Sequence, residues 1–301
     1  MTFIRKIKYF IVFPLLGLLL GVIWNLTNST YSISTEKEVE ETGIILGYFD
    51  KEHSLTNNQL THVISNVNHY KPQIEITNNF PDKSTYSLYF YLDYEQIAIE
   101  FGKKNKSWLE LEIGPYETKK LNIGLPDIKN GRHDFIVIAS RDSEINETTN
   151  PYLNNIARKT TIIKSKDSVP IFSGKNYKEF EHTVADPNLM FTSKKPTINP
   201  HKMKNFIEQN SKYWLNIPTN SVDFALIAML GNKQIELDNK FIKNEDLSGY
   251  IHFPLEINNT IGTPQDFIVF SFEQPFESME NNKGEILEFH NYSILNTVRV
   301  E

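Results

Sequence analysis

The sequence predicts a mainly β protein in which two antiparallel β-sandwich modules follow one N-terminal transmembrane helix. Three observations carry this prediction: an apolar run near the N-terminus, short alternating strands separated by turn signals, and a partial internal repeat. The chain has 301 residues, which is enough for one or two domains with stable cores. Its 40% hydrophobic and 23% charged residues are typical of a folded, water-exposed protein.

Charge and cysteine content exclude several classes of function. The formal net charge is −6, which argues against nucleic-acid binding because a basic surface supplies most of that affinity. No cysteine is present, so disulfides, thiolate nucleophiles, cysteine-ligated metal centres and a lipid anchor on cysteine are excluded. Exported eukaryotic proteins of this size often carry disulfides, so their absence favours a bacterial source.

The first predicted element is a membrane anchor with a basic flank, residues 1–25. Residues 9–24 carry no charge, and extending this run to residues 7–24 gives a length close to the lower limit for crossing a bilayer. Arg5, Lys6 and Lys8 precede or begin the run, so the N-terminus is expected in the cytoplasm and the remainder outside. A cleaved signal peptide is the alternative, although no A-x-A cleavage pattern follows the run.

The next elements are a stalk and the first sandwich. Residues 26–67 are predicted as a polar stalk and an ambiguous segment, in which residues 44–49 are a candidate strand and residues 55–67 a candidate short helix. Residues 68–165 contain six or seven alternating runs separated by turn residues such as Asn130-Gly131, which predicts an antiparallel sandwich.

A proline-containing connection and a second sandwich complete the chain. Residues 166–199 hold several prolines and few apolar runs, which predicts a linker. Residues 200–301 begin with a candidate short helix over residues 205–212 and continue with a second set of strands.

The two sets of strands are predicted to be a tandem repeat. The sequence Asp-Phe-Ile-Val occurs at residues 134–137 and again at residues 266–269. Upstream of each, residues 95–99 parallel residues 233–237 in the same order. If the halves are equivalent, the same parity of each DFIV strand is expected to face its own core. Each half resembles the immunoglobulin-like sandwich modules of exported bacterial proteins, a resemblance that implies the fold but no functional residue.

Polar residues with catalytic or metal-binding potential give no recognisable site. His62 and His69 are interpreted as solvated or capping residues, and His133 as a strand-edge residue. The acidic loop residues Asp142, Glu144 and Glu147 lack the spacing of a calcium loop. No G-x-S-x-G or phosphate-binding glycine motif is present. We therefore expect no catalytic, metal or cofactor site.

Aromatic residues give the one candidate for a binding surface. One parity of the aromatic strands fills the core, and the other parity, with Tyr89, Tyr91 and Trp108, is a candidate face for a sugar or a protein. The prediction is thus a membrane-anchored extracellular protein without enzymatic activity that presents two modules to a surface protein. A cell-wall or carbohydrate-binding protein and a hydrolase with an unrecognised site are the alternatives.

Overall fold

The computed structural model describes most of the chain beyond residue 41. The described residues are 42–49, 61–64, 70–142, 154–165, 168, 170, 175–176, 180–181, 190–208, 211–220, 223–237, 240–243, 248–257, 264–277, 292–295 and 298–300. The predicted anchor, residues 7–24, lies outside them. Within the described residues, no helix has both the length and the apolar character needed to cross a bilayer. Residues 42–301 cluster as one unit.

The first module is a sandwich of two sheets. One sheet has the order β1-β3-β9, and the other has the order β2-β11-β10-β4-β5 with β8 also paired to β4. A small hairpin, β6–β7, stands apart from both sheets. The strands are β1 Gly43–Phe49, β2 Thr61–Ile64, β3 Gln73–Asn79, β4 Ser84–Leu92, β5 Glu95–Gln96, β6 Ile99–Phe101, β7 Lys104–Lys106, β8 Trp108–Ile113, β9 Thr118–Asn122, β10 Gly131–Arg141 and β11 Asn155–Lys164.

The second module repeats this plan. One sheet has the order β13-β20-β16-β14, and the other has the order β12-β19-β17-β21-β23-β15, with β18 on β17 and β22 on β21. A short 3₁₀ helix, Pro200–Lys202, precedes β15. The strands are β12 Lys175–Asn176, β13 Phe180–Glu181, β14 Phe191–Ser193, β15 Phe206–Ile207, β16 Lys212–Asn220, β17 Phe224–Leu230, β18 Lys233–Ile235, β19 Phe241–Lys243, β20 Ser248–Glu256, β21 Gln265–Glu273, β22 Tyr292–Ile294 and β23 Val298–Val300.

Strand pairing makes the two modules equivalent. In the smaller sheets, β1, β3 and β9 of the first module correspond to β14, β16 and β20 of the second. In the larger sheets, β4, β10 and β11 correspond to β17, β21 and β23. Even the parallel edge strand recurs, since β2 runs parallel to β11 and β15 runs parallel to β23. In the first module, the sheet with β3 and β9 packs on the sheet with β4, β10 and β11. Two antiparallel sheets packed in this way are the arrangement of immunoglobulin sandwiches. The predicted mainly β fold is confirmed.

The two DFIV strands occupy corresponding places and bury the same parity. Phe135 and Val137 of β10 lie in the core of the first module, and Phe267 and Val269 of β21 lie in the core of the second. Phe135 is opposite Leu92 across the sheet, as Phe267 is opposite Leu230. The prediction that both DFIV strands face their own cores with the same parity is therefore confirmed. This correspondence supports the predicted repeat.

The first module begins earlier than the sequence indicates. β1 confirms the candidate strand over residues 44–49, and its alternate residues Ile44, Leu46 and Tyr48 are buried in the core, so this strand belongs to the module and not to the stalk. Residues 61–64, a candidate helix in the sequence, form β2 because they pair with β11, and this pairing buries His62 and Ile64. His62 is thus a buried residue and not a solvated one, with its ring 4.8 Å from that of Tyr48.

The second module likewise extends into the predicted linker. Within residues 166–199, strands β12, β13 and β14 pair with β19, β20 and β16, and Met190 and Phe191 are fully buried. Phe206 and Ile207, in the segment predicted as a short helix, instead form β15 along β23. In each case pairing with a distant strand decides the local structure, and local patterning does not report such pairing.

Candidate functional site: the face between the modules

The larger sheets of the two modules pack against each other through their outer faces. Strands β4, β10, β17 and β21 are apolar on both parities, which is expected of strands buried on both sides. A cluster separate from the two module cores contains residues of both modules, and we call it the inter-module cluster. It comprises Tyr89, Tyr91, Tyr94, Ile136, Ile138, Ala157, Ala225, Ile227, Met229, Ile268, Phe270, Phe272, Phe276 and Ile294.

The predicted aromatic face forms part of this cluster. Tyr89 is 5% exposed and Tyr91 is 0% exposed, and both pack in the inter-module cluster. Trp108 is half-buried at its margin. The structure thus brings the three residues together, but two of them are covered by the second module instead of facing solvent. Strand alternation identifies the face on which these aromatic residues lie. The residues that cover this face lie more than 100 residues later in the chain, in the second module.

Two glutamines join the hairpins at one end of the interface. The backbone N–H of Gln96 donates to Oε1 of Gln234 at 2.6 Å, and the backbone N–H of Gln234 donates to Oε1 of Gln96 at 2.9 Å. Nε2 of Gln234 donates to the Tyr94 carbonyl at 2.8 Å, and Nε2 of Gln96 donates to the Asn232 carbonyl at 3.3 Å. Each module therefore gives the other the same set of contacts, as a local two-fold axis requires.

A buried carboxylate joins the modules at a second point. Asp134 is fully buried, and its Oδ2 accepts hydrogen bonds from the Tyr94 hydroxyl and the Phe276 backbone N–H, both at 2.7 Å. Its Oδ1 accepts from the Thr161 hydroxyl at 3.4 Å. The Lys159 ammonium lies 3.8 Å from Oδ2, so the carboxylate has a counter-ion in the same buried volume.

The lysine of this pair also holds the second module. Lys159 Nζ donates to the carbonyl oxygens of Gln274 at 2.9 Å and Glu273 at 3.3 Å. Arg132 donates to the Phe276 carbonyl at 3.2 Å. Side chains of the first module thus bind the backbone of residues 273–276 at both ends of this turn. We call this arrangement the Asp134–Lys159 clamp.

The clamped turn has a strained backbone. Gln274 and Phe276 have φ angles of 47° and 62°, a region that residues other than glycine rarely adopt. Such conformations persist where surrounding contacts determine them, and here those contacts come from the first module. The aromatic ring of Phe276 packs at 5.7 Å from that of Tyr94, so the turn is bound through both backbone and side chain.

Burial shapes the electrostatics of the interface. Burial, and then the adjacent Asp134 charge, raises the pKa of the Tyr94 phenol well above its ordinary value, so this tyrosine remains a hydrogen-bond donor. Burial also raises the pKa of Tyr89 and Tyr91. The Tyr89 hydroxyl donates to Asn232 Oδ1 at 2.8 Å, whereas the Tyr91 hydroxyl has no hydrogen-bond partner among the described residues.

The remaining candidate polar residues do not converge. His133 contacts Asp93 and the Lys129 carbonyl and is buried. Asp142 is exposed and donates its backbone N–H to the Thr85 carbonyl, whereas His69, Glu144 and Glu147 lie outside the described residues. The described part of the chain holds no group of three or more residues suited to a metal ion.

Comparison with known proteins identifies no family. No family model matches the chain, and no curated protein matches it. Among solved structures, the CARDB domain of a Pyrococcus furiosus protein in complex with di-metal ions is 12% identical, over 40% of this chain and 89% of that one, with a TM-score of 0.25. WR4, a C. elegans MSP family member, is 9% identical, over 36% of this chain and 100% of that one, with a TM-score of 0.23.

A third structure covers more of the chain. Red sea bream transglutaminase is 12% identical, over 86% of this chain but 31% of that protein, with a TM-score of 0.25. At such TM-scores the similarity carries no argument about function. The assignment of two β-sandwiches rests on the strand pairing described above.

Sequence reasoning missed the residues that join the modules. Asp134 and Gln96 both lie in the repeated segments, and their repetition was a visible signal, since Asp266 and Gln234 occupy the corresponding places. Lys159 carried no signal, because a lysine in an alternating strand is normally placed on the solvent face. Lys159 is buried because the second module packs over that face.

Proposed function

We propose that this chain is a membrane-anchored, extracellular, non-catalytic binding or assembly protein that presents two paired sandwich modules to a protein partner at the cell surface. The observation that carries the proposal is the reciprocal module interface, in which Gln96 and Gln234 exchange hydrogen bonds. This interface fixes the geometry of a two-module unit, and the remaining sheet surfaces face away from it. Rigid presentation of surfaces reduces the entropic cost of binding.

A non-catalytic role is supported by how the interior polar groups are used. Asp134, Lys159 and Tyr94 are buried ionisable groups that meet at the interface, and each is bonded to the protein itself. Their hydrogen-bonding capacity serves module pairing, which leaves no oriented acid or base for a substrate at this position.

The edge strands offer the surfaces for a partner. Val63 of β2 is 66% exposed and Phe206 of β15 is 50% exposed, and these strands occupy equivalent edges of the two larger sheets. Exposed apolar residues on edge strands are suited to contact another protein. Burial of Tyr89 and Tyr91 removes most of the aromatic face that a sugar ligand would need, which favours a protein over a carbohydrate.

Photo-crosslinking in intact cells tests the proposal. A photo-reactive residue placed at position 63 or 206 is expected to give adducts with one discrete protein, and the same residue at exposed Asn105 is expected to give none. Retention of the purified full chain on cell-wall polymers, with loss of retention in Trp108→Ala, would instead support the carbohydrate-binding alternative. Adducts at neither edge strand would contradict a protein partner at these surfaces.

A further inference from the structure

His133 of β10 contacts the β4–β5 turn of the first module, and the same turn contacts the second module. Its Nδ1 is 2.7 Å from Oδ2 of Asp93, and its Nε2 is 3.0 Å from the Lys129 carbonyl oxygen. A carbonyl oxygen only accepts, so Nε2 must carry a proton, and a carboxylate at Nδ1 requires a second proton. Both ring nitrogens therefore face acceptors, and the geometry fits the imidazolium cation.

Two carboxylates near this ring favour the same state. Asp93 comes from the β4–β5 turn, and Asp134 is the next residue along β10. On β11, the residue opposite His133 is the uncharged Ile162, and the nearby Lys164 donates its ammonium to the Ile128 carbonyl at 2.8 Å. The hydrogen bond from Asp93 is the largest contribution that raises the pKa of His133 above its ordinary value, and burial opposes it.

Asp93 links this histidine to the module interface. Its Oδ1 accepts the Asp134 backbone N–H at 3.0 Å while Oδ2 binds His133, so one carboxylate spans both residues. Asp93 and the following Tyr94 form the β4–β5 turn with φ angles of 54° and 66°, a conformation that needs such support in residues other than glycine. Tyr94 then enters the inter-module cluster, and its carbonyl accepts the hydrogen bond from Gln234.

We propose that protonated His133 holds this turn in the conformation that pairs the modules, and that loss of its proton loosens their pairing. Without the second proton, either Asp93 or the Lys129 carbonyl loses its donor. The turn carries Tyr94, and Gln96 follows two residues later, so its release weakens contacts at both ends of the interface. The module cores are built from other residues and stay folded.

The direction of the pH dependence follows from linkage. Because the pKa of His133 is raised in the folded protein, its contribution is fully present below the ordinary value of 6.5 and is lost as the pH rises through the higher folded value. Pairing is therefore tightest below pH 6.5 and loosens as the pH rises through the raised pKa of His133.

Distance measurements between the modules test this proposal. The chain has no cysteine, so Asn105→Cys and Lys202→Cys, both at exposed positions, give one spin label on each module of the full chain in detergent. The distance distribution is expected to be narrow at pH 5.5 and to broaden as the pH rises. The midpoint is expected to match the titration of His133 followed by NMR in the same sample.

Variants separate His133 from a general effect of pH. His133→Gln is expected to give the broad distribution at every pH, and His201→Gln, at an exposed position in the 3₁₀ helix, is expected to keep the wild-type response. A distance distribution that stays unchanged while His133 titrates would overturn the proposal. A broadening of the distance distribution whose pH midpoint differs from the titration of His133 would overturn it too. This second comparison does not depend on a variant at position 133.

Discussion

Gln96 and Gln234 each accept the other's backbone N–H on the side-chain carbonyl, at 2.9 and 2.6 Å, across the face between the two modules. The same two positions align in the sequence repeat, so the repeat places equivalent residues in contact with each other. A face that binds its own equivalent in this way is the single-chain counterpart of a two-fold symmetric dimer interface. Pairing of the modules is thus encoded in the repeated segments themselves.

Replacing either glutamine is expected to weaken module pairing. Gln96→Ala or Gln234→Ala removes two inter-module hydrogen bonds and should lower the free energy of unfolding by about 1–2 kcal/mol, measured by urea denaturation. The double variant should depart from additivity by about 0.5 kcal/mol or more, because both residues need the same registration of the hairpins. Gln73→Ala, whose side chain binds Asn122 within the first module, is the control and should be additive with Gln234→Ala. If the free-energy losses add fully in Gln96→Ala/Gln234→Ala as they do in the control double variant, the two interface glutamines are not coupled.

Two buried tyrosines are expected to respond in opposite ways to loss of the hydroxyl group. The Tyr94 hydroxyl donates to the buried Asp134 carboxylate, and Tyr94→Phe should destabilise the protein by about 1.5–3 kcal/mol. The Tyr91 hydroxyl is buried without a partner among the described residues, so Tyr91→Phe should be neutral or stabilising by up to about 1 kcal/mol. Thermal unfolding of the two variants measures the contrast, and an equal loss in both would contradict this account.

The buried Asp134–Lys159 pair should be far more sensitive than its counterpart in the second module. Asp134→Asn or Lys159→Met leaves an uncompensated buried charge and is expected to cost about 3–5 kcal/mol. Asp266 occupies the equivalent position, but it is partly exposed and lies 3.9 Å from Arg299, so Asp266→Asn should cost only about 0–1 kcal/mol. Chemical denaturation compares the three variants. Similar losses at positions 134 and 266 would show that the clamp is not specific to the first module.

Strand alternation was sufficient to predict the sandwich class and that the two DFIV strands face their own cores with the same parity. It did not indicate which parity faces the core, because Phe135 and Val137 alternate with Ile136 and Ile138, and both faces of a strand buried on both sides are apolar. The module boundaries were less predictable. β2 and β14 are three or four residues long, and their pairing with β11 and β16 is a long-range property that local propensity does not carry.

The candidate site shows a different limit. Tyr89 and Tyr91 were predicted as part of a candidate face for a sugar or a protein, and the sequence did not indicate that the second module covers them. The deciding residues are Ile227, Met229 and Phe270, which look like ordinary core residues of the second module. Their position outside that core follows only from the packing of one sheet on the other.

The membrane anchor remains a prediction from residues 7–24. The full chain is expected to stay in the membrane fraction after alkaline carbonate extraction, and external protease is expected to remove the modules from intact cells. The physical reason is an uncharged run of residues 9–24 next to a basic N-terminal flank. A soluble mature chain that begins near residue 30, determined by N-terminal sequencing, would identify a cleaved signal peptide instead.

The equivalent phenylalanines give the sharpest test of the repeat. Phe135 and Phe267 are both fully buried in the cores of their own modules, so truncation of either to alanine should cost about 3–5 kcal/mol through lost burial and the remaining cavity. Ile136 and Ile268 are their neighbours on the opposite face, in the inter-module cluster. Ile136→Ala or Ile268→Ala should loosen pairing while each module keeps its own core. Hydrogen exchange followed by mass spectrometry separates these outcomes, because Phe135→Ala should expose strands of the first module and Ile136→Ala should chiefly expose β5 and β18. If both substitutions expose the same strands, the two parities do not serve separate faces, and the equivalence of the modules loses its physical basis.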